Sequence, residues 1–293
     1  MAENRGQYGA NRDGRDPEKV PHNPLGNVRI VLVEPAGPRN VGSVARVMAN
    51  FGMEALVLVA PQCDYLGQEA QTMAVHAKEI LRRATVVASV PEALVGCQRL
   101  AATLGREFAG RVPVEAIAQV SPWLLAQDLP SSKRPSTVSA IIFGREDHGL
   151  SNDDLHYAQR LVTIPTGADY VSLNLAQAVG VCAYELRRTA NEKESPLEGE
   201  PGAIALEKQL TTKASKPLES PQPPEDAAPF EQLEGFYNDL ETLLLEVGYL
   251  HPHTANKRMK TFRNLFHRAH PTAREVAMVR GILRQVRWAI NQP

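Results

Sequence analysis

Apolar residues run along this chain in two rhythms that change near residue 190. Before that point, short unbroken apolar runs dominate: Val28–Val33, Ala55–Val59, Thr85–Val87, Leu100–Thr103, Val138–Phe143 and Leu161–Ile164. Runs of this length and apolarity predict buried strands. Between them the spacing turns helical. Val44, Val47, Met48 and Phe51 predict a helix over Val41–Phe51 with Asn40 as its N-cap. A second long helix is predicted from about Ser172 to Arg188. Alternating strands and helices imply an α/β fold with a largely parallel sheet covered on both faces.

Beyond residue 190 the rhythm is lost, then returns as helix alone. The stretch 191–229 holds seven prolines, eight acidic and four basic residues, and reads as a flexible linker. Three helical stripes follow. The first is Phe236, Leu240, Leu243, Leu244 and Val247, closed by Gly248; the second is Met259, Phe262, Leu265 and Phe266; the third is Val276, Val279, Ile282, Leu283 and Val286. The expected organisation is a mobile tail 1–24, an α/β domain 25–190, a linker 191–229 and a small all-α unit 230–293.

Composition narrows the setting. The hydrophobic fraction of 43% is that of a soluble globular protein. No apolar run approaches the ~18 residues of a membrane-spanning helix. The first 24 residues have no apolar core, so no secretory signal is expected. Cys63, Cys97 and Cys182 lack C-x-x-C spacing, which suits a reduced, cytoplasmic protein.

Charge adds a second feature, because the net value of −1 conceals a local excess. Residues 257–288 carry nine Lys/Arg and a single acid, Glu275. Lys257, Arg258, Lys260, Arg263 and Arg268 are the expected phosphate contacts of a nucleic-acid surface. Phe262 and Phe266, four apart on one stripe, are expected in the core. His251-Pro-His253 and His267-Arg-Ala-His270 have no cysteine or carboxylate cluster to complete a metal site, so no metal is expected.

The candidate chemistry lies in three blocks that end apolar strands. The first runs from Glu34 through Pro35-Ala-Gly-Pro-Arg-Asn40 to Gly42-Ser-Val-Ala-Arg46. Helical spacing brings Asn40, Ser43 and Arg46 near one another, at the sheet edge where α/β ligand sites lie. Gly37 and Gly42 have P-loop spacing, but no Lys-Ser/Thr follows, and the dinucleotide-binding glycine pattern is missing too. The second block is Gly144-Arg-Glu-Asp-His-Gly-Leu-Ser151, where glycine permits close approach of a ligand and Ser151 is placed to cap a helix. The third is Ile164-Pro-Thr-Gly167 followed by Tyr170-Val-Ser-Leu-Asn174. Glu146 has two readings: a neutralising partner for Arg46 or Arg145, or a plain surface carboxylate.

Taken together, N-V-G-S-V-A-R, F-G-R-E-D-H-G-L and I-P…S-L-N-L-A-Q-A-V resemble the three motifs of the SPOUT superfamily of RNA methyltransferases, over about residues 28–188. Within it the likeness is to enzymes that methylate the ribose 2′-hydroxyl of a pyrimidine in the tRNA anticodon loop, at cytidine or uridine 32. The C-terminal F-Y-N-D-L-E…K-R-M-K-T-F-R-N-L-F-H-R-A resembles the helical extension of the same branch. The resemblance implies a deep C-terminal trefoil knot, an exception to unknotted topology. It also implies a homodimer, tRNA as partner and S-adenosyl-L-methionine as methyl donor. Carried over by motif, the cofactor loops are Thr103-Leu104-Gly105, Gly144, Ile164 and Val171-Ser172-Leu173. Arg46 is the implied catalytic residue, with Asn40, Ser172 and Asn174 beside it and Tyr170 as a stacking ring.

A guanidinium is a poor base at neutral pH. Two roles for Arg46 therefore stand: orienting the hydroxyl and its neighbouring phosphate, or accepting a proton once RNA has lowered its pKa. Methylation of rRNA and non-catalytic RNA binding on the same fold are the competing functions. A Rossmann oxidoreductase lacks its fingerprint.

Overall fold

The computed structural model describes residues 23–105, 112, 114–125, 138–167, 169, 171–194 and 227–292. Most of the 1–24 tail and of the 191–229 linker, together with Arg106 and Tyr170, lies outside the described residues.

Seven strands among the described residues form one sheet: β1 (Val28–Val33), β2 (Leu56–Val59), β3 (Thr85–Val87), β4 (Cys97–Thr103), β5 (Val114–Ala116), β6 (Val138–Phe143) and β7 (Arg160–Thr163). Their order is β3-β2-β1-β6-β4-β7-β5, and every pairing is parallel. Alternate side chains enter opposite cores, as strand pleating requires. Ile30, Leu32, Ile141 and Phe143 pack on one face, and Val31, Val33, Ala140 and Ile142 on the other. The first face is covered by α1 (Pro38–Asn50), α5 (Ile117–Leu124) and α7 (Leu175–Glu194), with α2 (Gln68–Ala74) and α3 (Lys78–Arg82) packed on α1. Gly42 is required where α1 meets α2, because a Cβ there would lie 2.1 Å from the Ala70 carbonyl oxygen. The short helices α4 (Val90–Ala93) and α6 (Asn152–Leu155) lie on the second face.

A parallel sheet gathers its strand ends on one edge. β1, β6, β4 and β7 are successive neighbours, so the loops after Val33, Phe143, Thr103 and Thr163 emerge side by side. Two helix starts differ from the sequence expectation. The α1 N-cap is Gly37, with Pro38 in the first turn, which frees the Asn40 side chain from capping. The long helix begins at Leu175, not near Ser172. Asn174 caps it: the Asn174 carbonyl accepts the first helical bond, and its side-chain oxygen accepts the Ala176 N–H at 3.0 Å. Strand β5 carries no apolar run that could have announced it.

The C-terminal unit is three helices: α8 (Phe230–Glu246), α9 (Pro252–Ala269) and α10 (Ala273–Ile290). Phe236, Tyr237, Leu250, Met259 and Val276 form its core. Phe262 and Phe266 pack against that core as expected, whereas Leu265 and Ile282 are exposed. The unit docks on the second face of the sheet. Phe230 is buried there with its ring edge-on to Tyr157 at 6.0 Å. Glu231 accepts the Gly96 N–H at 2.8 Å, and Lys260 pairs with Asp153 at 2.7 Å.

Candidate active site

Three of the four neighbouring loops, those after Thr103, Phe143 and Thr163, line a cavity of about 440 Å³. Thr103, Leu104, Gly105, Gly144, Ile164, Val171, Ser172 and Leu173, chosen from sequence motifs, all line it. Arg145, Glu146, Asp147 and His148 line it as well; the sequence placed them in the second block but assigned only Gly144 of that block to the cofactor. The Thr103 hydroxyl donates to the Ile142 carbonyl at 3.2 Å, which ties the ends of β4 and β6 together. Val162, Leu173, Leu175 and Ala178 supply an apolar lining, while the 145–148 turn supplies charge.

Gly144 serves a purpose other than ligand approach. The chain doubles back so tightly that a Cβ at Gly144 would lie 2.2 Å from both the Gly149 carbonyl carbon and the Leu150 nitrogen. The Gly149 N–H donates to the Arg145 carbonyl at 2.8 Å and closes the turn, with Gly149 at φ +71°. The turn then runs into Ser151, which caps α6 in a reciprocal box with Asp154, as the sequence implied.

Glu146 joins the three sequence blocks. Its carboxylate accepts the Ala36 N–H at 3.0 Å, the Gly37 N–H at 3.1 Å and the Asn40 side-chain amide at 2.8 Å. The Asn174 amide in turn donates to the Asn40 side-chain oxygen at 2.9 Å. Neither sequence reading of Glu146 survives: it pairs with neither Arg46 nor Arg145, and it is a half-buried acceptor rather than a plain surface group. Burial alone would raise its pKa. The donors from Ala36, Asn40, its own backbone and Gly37 outweigh burial and hold the carboxyl below its ordinary value. The charge is therefore kept, and it organises a loop of N–H donors at the start of α1. A glutamate in the middle of a turn closed by two glycines was the available signal.

Arg46 lies apart from this network. It is exposed on α1, does not line the cavity, and has no hydrogen bond or ion pair with any described residue. Asn40, six residues earlier, is about 9 Å away along the helix axis. Ser172 lines the cavity and is exposed. The structure therefore brings Asn40, Asn174 and the cavity together and leaves Arg46 on the adjoining surface.

The five basic residues proposed for RNA separate into two groups. Arg263 is a correction: its guanidinium grips Glu234 through two hydrogen bonds, one of them 2.9 Å, and lies 4.4 Å from the Tyr237 ring centroid. Lys260 is held by Asp153. Lys257, Arg258 and Arg268 are exposed, with no acidic partner among the described residues. No group of three or more potential metal-binding His, Cys, Asp or Glu side chains occurs among the described residues, and none of their helices is long and apolar enough to cross a membrane.

With this geometry in place, comparison with known proteins adds the family. The SpoU rRNA Methylase family model matches residues 27–184, and the model of the tRNA methyltransferase TrmJ C-terminal domain matches 231–293. A tRNA (cytidine/uridine-2'-O-)-methyltransferase TrmJ of Pectobacterium atrosepticum is 35% identical over 267 residues, covering 89% of this chain and 97% of that protein. The protein of the same name from Cronobacter sakazakii is 33% identical over 276 residues, covering 92% and 99%. The crystal structure of TrmJ from Z. mobilis ZM4 superposes with a TM-score of 0.68 at 29% identity, covering 88% of this chain and 98% of that one.

Proposed function

The chain belongs to the SpoU methylase family and, within it, to the TrmJ proteins, and from that premise we propose that it methylates the ribose 2′-hydroxyl of cytidine or uridine 32 in the tRNA anticodon loop. The activity is that of a tRNA cytidine/uridine 2′-O-methyltransferase, the name carried by relatives matched along almost their whole length. The position in the loop rests on the sequence resemblance. The observation that carries the reading is the meeting of all eight motif-selected residues in one cavity at the sheet edge.

S-adenosylmethionine supplies a methyl group already activated by its sulfonium. The cavity fits such a donor. Its volume lies in the ligand-pocket range, its lining combines apolar side chains with the charged 145–148 turn, and Gly105, Gly144 and Leu173 border it. Thr103-Leu104-Gly105, Gly144, Ile164 and Val171-Ser172-Leu173 would hold the cofactor. The remaining tasks are positioning the ribose hydroxyl and removing its proton. Asn40, held by Glu146, and Asn174, held by Asn40, are ordered amides beside the cavity. Arg46, exposed and unpaired, orients the hydroxyl and the adjacent phosphate.

The finer reading is a cytoplasmic homodimer containing the trefoil knot. The resemblance supports both knot and dimer. Val181 and Tyr184, exposed on the helix that follows the third loop, support a subunit contact near the cavity. The test is transfer of labelled methyl from S-adenosylmethionine to purified total tRNA and, separately, to rRNA. Label in tRNA is expected; label confined to rRNA, or to neither, refutes the reading.

A further inference from the structure

We infer that the corner between α8 and α9 is a base-stacking platform for an unpaired nucleotide of the RNA substrate. The inference rests on the tRNA reading above and adds a site to it.

The corner is built by the backbone. Helix α8 ends at Glu246 with Val247 as its C-cap, and Gly248 at φ +74° reverses the chain. The reversal sends Leu250 into the core and leaves Tyr249 outside, 54% exposed. Around Tyr249 the flat groups collect. The Arg258 guanidinium lies 5.3 Å from the Tyr249 ring centroid, anchored by a 2.9 Å hydrogen bond from its Nη1 to the Tyr249 carbonyl. The exposed rings of His251 and His253 stack with centroids 5.8 Å apart and planes within 4°. Lys257 is exposed next to Arg258 in sequence. Glu246, on the last turn of α8, is held by Arg287.

A single exposed tyrosine needs no explanation. Here a tyrosine, two stacked imidazoles and an anchored guanidinium share one corner, with two cations and no acid paired to either among the described residues. Flat π surfaces beside phosphate-binding cations are what single-stranded RNA recognition uses. An apolar protein partner would have no use for the cations. The anchoring bond pre-organises Arg258, so little freedom is lost when a base stacks.

The test uses the full chain and purified tRNA in filter binding at several salt concentrations. Tyr249→Ala is expected to weaken tRNA binding by roughly 5- to 100-fold, the range for loss of one stacked base. It should leave the salt slope unchanged. Tyr249→Phe should bind like wild type, because the ring and not the hydroxyl carries the contact. Arg258→Gln should lower the salt slope by about one, as loss of one phosphate contact does. Tyr249→Ala binding with wild-type affinity, or Tyr249→Phe as weak as Tyr249→Ala, overturns the platform. Failure of the wild-type protein itself to bind tRNA defeats the functional reading instead.

Discussion

The cavity end of the α/β domain and the basic face of the helical unit use charge in opposite ways. At the cavity, the organising charge is a carboxylate turned inward: Glu146 receives two backbone N–H groups and the Asn40 amide. In the helical unit, three of the nine Lys/Arg residues are neutralised internally and a fourth is paired across to the α/β domain. Arg263 is committed to Glu234, Arg280 to Asp239 and Arg287 to Glu246, while Lys260 ties the unit to Asp153. The cations left to meet phosphate are fewer than the sequence count suggests. A local excess of basic residues thus measures how much charge a segment carries; only the structure separates the charges that hold the fold from those offered to a ligand.

The contrast can be broken most sharply at Arg46, which lies beside the ordered network without joining it. Arg46→Ala is expected to lower turnover by at least about 100-fold, the scale of a lost positioning contact. S-adenosylmethionine binding, measured by calorimetry, should be retained. Equal loss of binding would place Arg46 in the cofactor cavity instead.

Gly144 probes the other side. Gly144→Ala drives a methyl group into the returning Gly149–Leu150 backbone. About 1–3 kcal/mol of destabilisation follows from such overpacking, with weaker cofactor binding because the turn walls the cavity. An unchanged melting curve and unchanged cofactor affinity would show that the turn yields without consequence.

Arg263 and Lys257 compare a structural cation with a free one. Arg263→Ala leaves the Glu234 carboxylate half-buried without its partner, and about 2 kcal/mol of stability is lost on the scale of hydrogen bonds to charged groups. Lys257→Ala should leave stability unchanged and reduce the salt slope of tRNA binding by about one. The reverse pattern in denaturation and filter binding would contradict the division.

The smallest effect concerns pH. His267 is buried where α9 faces Ala158. Burial, then the positive charge of Arg263, His270 and His156, pushes its pKa down to about 3 from an ordinary 6.5, against a hydrogen bond to the Ala158 backbone. A histidine depressed in the folded state stabilises the fold fully above its unfolded pKa. That contribution declines as pH falls from about 6.5 toward 3, by at most about 1.4 kcal/mol per pH unit. Chemical denaturation of wild type and His267→Phe at pH 7 and pH 5 checks this: the wild type should lose more stability than the variant.

The sequence displayed the strands whose apolar runs carry the sheet. Val28–Val33 and Val138–Phe143 were legible to the residue, because strands buried on both faces leave unbroken apolar runs. Thr85–Val87 was also found at its bounds, but it is an exposed edge strand and not the buried one expected. Strand β5, only Val114-Glu-Ala116, was not, since a three-residue edge strand has no periodicity to read. The cavity-lining set was legible through the family motifs rather than through spacing. The Glu146–Asn40–Asn174 chain was invisible for a physical reason: its members lie 106 and 134 residues apart, and only the strand order β1-β6-β4-β7 brings their loops together. The Arg263–Glu234 pair was hidden likewise, because partner choice between helices depends on how they pack.

The most direct test of the central claim is the identity of the methylated atom. Total tRNA incubated with the protein and S-adenosylmethionine would be digested and mapped by mass spectrometry. The account predicts one new methyl on the ribose 2′-oxygen of a cytidine or uridine at position 32. A methyl on a base, or on a ribose outside the anticodon loop, would contradict it.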